Sequence, residues 1–126
     1  MAFCTAVNCM DGRTQQPVSD YLRRRFAAEC VDTVTEPGPD GILAAGTDRA
    51  TIDSIFRRVG ISLERHGSRS IAIVSHHDCA GHPVDKQSHV RDVLLAASRL
   101  AERFAPAEVI ALWVDEDWQV HELPRE

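Results

Sequence analysis

Four short apolar runs recur along the chain, and segments of helical periodicity lie between them. Residues 3–8, 31–35, 70–75 and 109–114 are rich in β-branched and small apolar side chains and are too short for helices, so they read as buried strands. Between them, Val18, Tyr21, Leu22 and Phe26 recur at intervals of three and four, as do Ile52, Ile55, Phe56, Val59 and Leu63, and then Val90, Val93, Leu94, Ala97, Ala101 and Phe104. Each set makes one apolar stripe on a helix. Strand and helix in strict alternation restrict the fold class to α/β. The expected architecture has three layers: a mostly parallel four-stranded sheet with helices on both faces. After the polar turn Asp115, Glu116 and Asp117, residues 118–123 are expected to fold back as an antiparallel edge strand.

Local signals set the expected boundaries. Asp11, Gly12, Arg13 and Thr14 read as a turn, with Pro17 at the first position of the helix that follows. Thr47 or Asp48 is expected to cap the second helix, Gly67 to stop it, and Asp85 or Ser88 to cap the third. Residues 36–41 alternate two Pro with two Gly and are expected to form an irregular loop. The 126 residues suit a single domain over 1–126. A chain of this size buries roughly two-thirds of its unfolded surface, so it needs no staples to fold.

Charge and composition exclude several functions. A net charge of -5 argues against nucleic acid, whose binders present a basic footprint. The one dense basic run, Arg23, Arg24 and Arg25, reads as the solvated face of a helix. No segment approaches the ~18 consecutive apolar residues of a membrane span, and no signal peptide is visible, so a cytoplasmic location is expected. In that compartment the four Cys are expected to be reduced rather than paired.

The chemistry sits where two of the strands stop. Cys9 ends the first run and is followed by Met10, Asp11, Gly12 and Arg13; His76, His77, Asp78 and Cys79 end the third. In a parallel sheet both places are carboxyl ends of strands, and ligands bind beyond such ends where strand order switches. Neighbouring first and third strands would bring the two motifs together. Cys9, His76 and Cys79 then supply two thiolates and an imidazole, three of the four places of a tetrahedral Zn2+, with one left for water. Zinc acidifies that water toward neutral pH. Two thiolates weaken the metal as an acid, so tuning by neighbouring groups is expected. Asp11 is placed to accept the proton of the zinc-bound hydroxide in a hydrogen bond and so aim its lone pair, and Arg13 to hold Asp11 ionised by a two-pronged pair.

These residues resemble the zinc site of the β-class carbonic anhydrases. That family pairs Cys-x-Asp-(Ser/Gly)-Arg with His-x-x-Cys, matched here by Cys9, Asp11, Gly12, Arg13, His76 and Cys79. The resemblance implies zinc ligation by Cys9, His76 and Cys79 and an orienting dyad of Asp11 and Arg13. It implies reversible hydration of carbon dioxide to bicarbonate, and a homodimer or higher homo-oligomer. It further implies a parallel core sheet with one antiparallel edge strand, in agreement with the pattern above. The chain departs from the family where Glu36, Pro37 and Gly38 replace an Arg-Asn-Ala-Gly segment, and where Ser75 replaces the Gly before the metal-binding His. Two alternatives therefore stand beside carbon dioxide hydration. One is a non-catalytic zinc-binding or regulatory homologue; the other is a carbonyl sulfide or carbon disulfide hydrolase using the same site.

Other chemically able residues carry plainer expectations. His77, His82 and His89 read as solvent-exposed loop histidines, and Asp78 as a turn residue. Cys4 and Cys30 read as buried fillers, and Trp113 and Trp118 as core or subunit-interface packing.

Overall fold

The computed structural model describes residues 1–125. Its elements are β1 (Phe3–Cys9), α1 (Gly12–Arg25), β2 (Cys30–Glu36), α2 (Pro39–Ala45), α3 (Arg49–His66), β3 (Ser70–His76), α4 (Lys86–Arg103), β4 (Glu108–Val114) and β5 (Val120–Leu123). The strands form one sheet in the order β2-β1-β3-β4-β5. β1 to β4 run parallel and β5 is antiparallel to β4, so the expected α/β architecture and its antiparallel edge are both present.

Alternation along the strands divides the interior into two cores. Val7, Ile71, Ile73, Val109 and Ala111 pack toward Leu43 of α2, Ile52, Ile55 and Val59 of α3, and Val93, Ala97 and Leu100 of α4. Their sequence neighbours Ala6, Ala72, Val74, Ile110 and Leu112 face the other way, onto Val18 and Leu22 of α1. Strands buried on both faces carry near-continuous apolar runs, which is why β3 and β4 are legible as strands without a polar alternation.

The order β2-β1-β3 places a switch point between β1 and β3: the chain leaves β1 over one face through α1 and reaches β3 over the other through α3. The ladder between β1 and β3 pairs only Thr5, Ala6 and Val7 with Ile71, Ala72 and Ile73. The β1–β2 pairing continues to Cys9 and the β3–β4 pairing to His76. β1 and β3 therefore splay at their carboxyl ends, each still held by its outer neighbour, and a crevice opens between Cys9 and His76.

Two local expectations are corrected. Residues 36–41 are not wholly irregular, because α2 begins at Pro39. Pro39 occupies the first helical position, where a missing N–H costs nothing. Gly38 and Gly46, at φ of +68° and +70°, bracket the helix with left-handed residues. The same Pro and Gly that look like loop punctuation are caps of a seven-residue helix. The first helix begins at Gly12 rather than Pro17, which lies inside it. The Asp11 side chain accepts the Arg13 N–H at 2.9 Å and starts the helix early. Elsewhere the alternatives resolve: Asp48 caps α3, Gly67 ends it at φ +71°, and Asp85 caps α4.

Arg23, Arg24 and Arg25 occupy the exposed last turn of α1, where cations favour the helix dipole. Arg25 also reaches across the sheet edge to Glu122 of β5 at 2.8 Å and to Glu108 of β4 at 3.0 Å, and Tyr21 donates to Glu122. Cys30, expected to be buried, is only half-buried at the start of β2, whereas Cys4 is fully enclosed.

Two outcomes test this account. A Cβ on Gly81 would lie 2.4 Å from the Pro37 carbonyl carbon, a backbone atom that cannot step aside. Gly81→Ala should lower stability to urea by about 1–3 kcal/mol, whereas Gly12→Ala, which meets nothing within 4 Å, should stay within about 0.5 kcal/mol of the parent. The Glu122 carboxyl is held below its ordinary pKa, first by the hydrogen bond from Arg25 against the opposing effect of burial, and then by Tyr21. A depressed folded pKa stabilises the fold above the unfolded value of about 4.3 and loses that contribution as pH falls through the folded value. The thermal-stability gap between the parent and Glu122→Gln should stay constant from pH 7 to 5 and close in acid.

Candidate metal centre

Cys9 ends β1, His76 ends β3, and Cys79 follows three residues on in the loop toward α4. All three are buried, and one ligand atom from each lies within 4.8 Å of the others. The sulfurs of Cys9 and Cys79 are 3.9 Å apart. That is far beyond the ~2.05 Å of a disulfide. It is close to the edge of about 3.8 Å between two sulfurs each 2.3 Å from a tetrahedral zinc.

The imidazole of His76 is set up for ligation. Nδ1 donates to the His77 carbonyl at 2.7 Å, since a carbonyl only accepts. That bond fixes the proton on Nδ1 and leaves a lone pair on Nε2. Nε2 is buried with no hydrogen-bond partner. A bare buried acceptor costs about 1–3 kcal/mol, and a metal ion bonded to Nε2 removes that cost.

The thiols are poised as ligands too. The Cys9 thiol is lowered, first by the hydrogen bond from Cys79, against burial, and then by His76 and by the main-chain N–H groups of Gly38 and Asp11. The Cys79 thiol is raised, first by that same hydrogen bond and then by burial. Without a cation the pair therefore loses one proton easily and keeps the other, and a dication is what removes both. Burial works against a charged His76 ring, yet the Cys9 thiolate and the His77 carbonyl raise its pKa.

Beside this cluster stands the Asp11–Arg13 pair. Arg13 Nη2 donates to Asp11 Oδ2 at 2.7 Å and Nε to Oδ1 at 3.1 Å, the bidentate geometry of a strong pair. Together with the Arg13 N–H these bonds fix the carboxylate at the start of α1. Asp11 is lowered to about 2, chiefly by the Arg13 guanidinium, and stays ionised through any ordinary working pH. Gln15 Nε2 donates to the carbonyls of Cys9 at 2.8 Å and Asp11 at 2.9 Å, locking the turn between them.

Two further residues hold Arg13 and were not assigned to the site from the sequence. The Trp118 ring lies under the guanidinium, 4.4 Å from centroid to carbon, and its centroid is 6.3 Å from that of His76. Asp78 accepts from Arg13 Nη1 at 3.3 Å through its side chain and from Nη2 at 3.2 Å through its carbonyl. Both residues are strained: Asp78 has φ +58° and Trp118 φ +60°, a region that costs non-glycine residues about 1–3 kcal/mol. The Asp115 turn enforces the second, because Asp115 Oδ1 accepts from both Asp117 and Gln119 and its carbonyl from the Trp118 N–H. Nothing in the local sequence marks Trp118, which reaches the site only because β5 folds back on β4. The one available signal was positional, since it lies just beyond the carboxyl end of β4.

The three histidines that the sequence places near the second motif divide. His77 is exposed, as expected, and His82 is partly buried. His89 is not an exposed loop residue: it lies inside α4, 1% exposed, and pairs with Asp40 of α2 at 2.7 Å. It stands four residues before Val93 on the inward face, so the helix carries it into the interior. The loop after β2 does border the site through Gly38, while Glu36 turns aside to an ion pair with Arg58.

Comparisons with known proteins bear on the family and the fold. A family described as "Putative carbonic anhydrase" matches residues 1–124. No curated protein matches the chain. Among solved structures, a tetrameric β-carbonic anhydrase of Sordaria macrospora is similar at 12% identity, with a TM-score of 0.58 over 95% of this chain and 79% of that one. The β-carbonic anhydrase CafA of Aspergillus fumigatus is similar at 12% identity and a TM-score of 0.50, over 95% of this chain and 74% of that one. At that identity the likeness establishes the fold, while the family match spans nearly the whole chain. The chain belongs to the putative carbonic anhydrase family and has the β-carbonic anhydrase fold.

Proposed function

We propose that this protein hydrates carbon dioxide reversibly to bicarbonate, with Cys9, His76 and Cys79 holding zinc and with Asp11 and Arg13 acting on the reacting water. The observation that carries the proposal is the buried Cys9–His76–Cys79 cluster, with its unpartnered His76 Nε2, beside a bidentate Asp11–Arg13 pair. The donor set of two thiolates and an imidazole suits zinc. When bound, zinc supplies Lewis acidity sufficient to ionise water near neutral pH.

The chain's own groups do the rest. Asp11, held as a carboxylate, accepts a hydrogen bond from the reacting water and turns its lone pair toward the electrophile. Arg13 keeps Asp11 from rotating, and Trp118 and Asp78 keep Arg13 from leaving. The three hydrogen bonds on Asp11 hold it in its capping position, where it would act on the reacting water rather than serve as a metal ligand.

We infer also a homo-oligomer. Met10, between the first cysteine and Asp11, is 64% exposed, and Val84 in the loop after Cys79 is 40% exposed. A second copy related by a twofold axis would cover such side chains. The similar Sordaria macrospora enzyme is described as tetrameric. No helix of the described chain is long and apolar enough to cross a membrane.

Stopped-flow hydration of carbon dioxide by zinc-loaded protein, with metal content measured on the same sample, tests the reading. The rate should follow metal content, and Cys79→Ser should lose both. Asp11→Asn, which retains the helix cap, should keep the metal and lose about 100-fold or more in kcat/KM. A fully loaded protein without a metal-dependent rate would instead favour the non-catalytic zinc-binding reading. Trp118→Leu keeps apolar bulk but removes the ring face under Arg13. It should retain metal and lower kcat about 3- to 30-fold, in keeping with a partly desolvated cation–π contact of ~0.5–2 kcal/mol.

A further inference from the structure

A buried nitrogen is left over on the far side of the Asp40–His89 pair. His89 lies in the first turns of α4, and its Nδ1 bonds Asp40 Oδ2 at 2.7 Å. The carboxylate keeps the ring proton on Nδ1, so Nε2 carries a lone pair. The side chain is 1% exposed, and Nε2 has no hydrogen-bond partner. The pairing with Asp40 accounts for Nδ1 alone, and a bare interior acceptor is costly.

A cleft of about 420 Å³ lies against His89. His77, Cys79, Lys86 and Trp113 also line it, whereas Asp40 and His82 do not. His89 therefore meets the cleft with the ring edge turned away from Asp40, and that edge carries Nε2. Of the Cys9–His76–Cys79 cluster and the Asp11–Arg13 pair, Cys79 alone borders this space, so the cleft shares one wall with the first site and is otherwise separate from it. We propose that the cleft binds a small oxyanion that carries its own hydroxyl, of the hydrogen-phosphate type. The hydroxyl donates to His89 Nε2 and the negative charge faces Lys86.

Placement and charge agree. Lys86 opens α4 and His89 follows three residues on, so the two share one helix face. Trp113 is their common neighbour: Lys86 Nζ is 5.9 Å from its ring centroid, and the His89 ring is 5.7 Å away. The cleft adjoins the N-terminus of α4, the end of a helix dipole that attracts anions. Two carboxylates border it, and both are engaged. Asp78 pairs with Arg13 at 3.3 Å, and Asp85 accepts the Ser88 N–H at 2.8 Å. An oxyanion without a proton would set its own lone pairs against that of Nε2. The site accordingly selects by protonation. Hydrogen phosphate fits, whereas sulfate, of the same shape but with no proton at neutral pH, leaves Nε2 unpaired. Neither zinc nor turnover enters this argument.

Calorimetric titration of the purified protein with inorganic phosphate tests the proposal, at neutral pH and constant ionic strength and with bound metal counted on the same samples. Tryptophan emission gives a second readout, since Trp113 lines the cleft. The expected result is one phosphate per chain, with sulfate weaker by about 10-fold or more. His89→Asn retains a side-chain N–H for Asp40 and removes Nε2. It should weaken phosphate about 10- to 100-fold and leave bound metal unchanged. Lys86→Gln, in the exposed first turn of α4, should weaken phosphate about 2- to 5-fold, and it carries the test if His89→Asn fails to fold. Phosphate held at the cysteine cluster instead would be insensitive to both variants. No phosphate binding, sulfate binding as tight as phosphate, or an affinity that either folded variant leaves unchanged would overturn the proposal.

Discussion

The parting of β1 from β3 is the constraint on which the rest of this molecule depends. The two strands share a ladder only as far as Val7 and Ile73, then follow their outer neighbours. A crevice of this kind arises wherever a doubly wound sheet sends its connections over opposite faces. It sets the end of each strand beside the other with no backbone bonds between them. Side chains from both ends can then converge on one point, and Cys9 and His76 are the residues that do.

Around that point the chain accepts local cost for fixed geometry. Of the three non-glycine residues with left-handed backbone among the described residues, two, Asp78 and Trp118, grip Arg13; the third, Ala27, follows the end of α1. The loop after Cys79 passes so close to the loop after β2 that Gly38 and Gly81 leave no space for a Cβ. Two buried imidazole nitrogens go without partners. Strain and unsatisfied polar atoms gather at functional sites because the surrounding packing over-determines them. Here the double-sided core of β3 and β4 supplies that packing.

The electrostatics are arranged in a similar way. Two thiols 3.9 Å apart cannot both ionise in a buried place without a cation, and an aspartate beside them stays charged because a guanidinium grips both its oxygens. The guanidinium is in turn held by a ring face and a second carboxylate. Each charge is positioned by its neighbour, in a sequence that ends on the rigid α1 cap and the β4–β5 turn.

The linear sequence determined the alternation of strand and helix, the two Cys- and His-bearing motifs at strand ends and the Asp11–Arg13 pairing, because each is encoded by residues within one turn or one strand of each other. Local pattern could not reveal α2, since Pro39 and Gly38 punctuate a loop and cap a short helix with equal facility. Nor could it reveal that His89 is interior: the stripe from Val90 to Phe104 is visible, but the partner that makes a buried imidazole tolerable, Asp40, lies 49 residues away. Trp118 and Asp78 meet at Arg13 only after β5 has paired with β4 and β3 has come beside β1. Those contacts were decided by tertiary structure alone, because they join groups whose separation along the chain carries no periodic or motif signal and is closed only by the sheet.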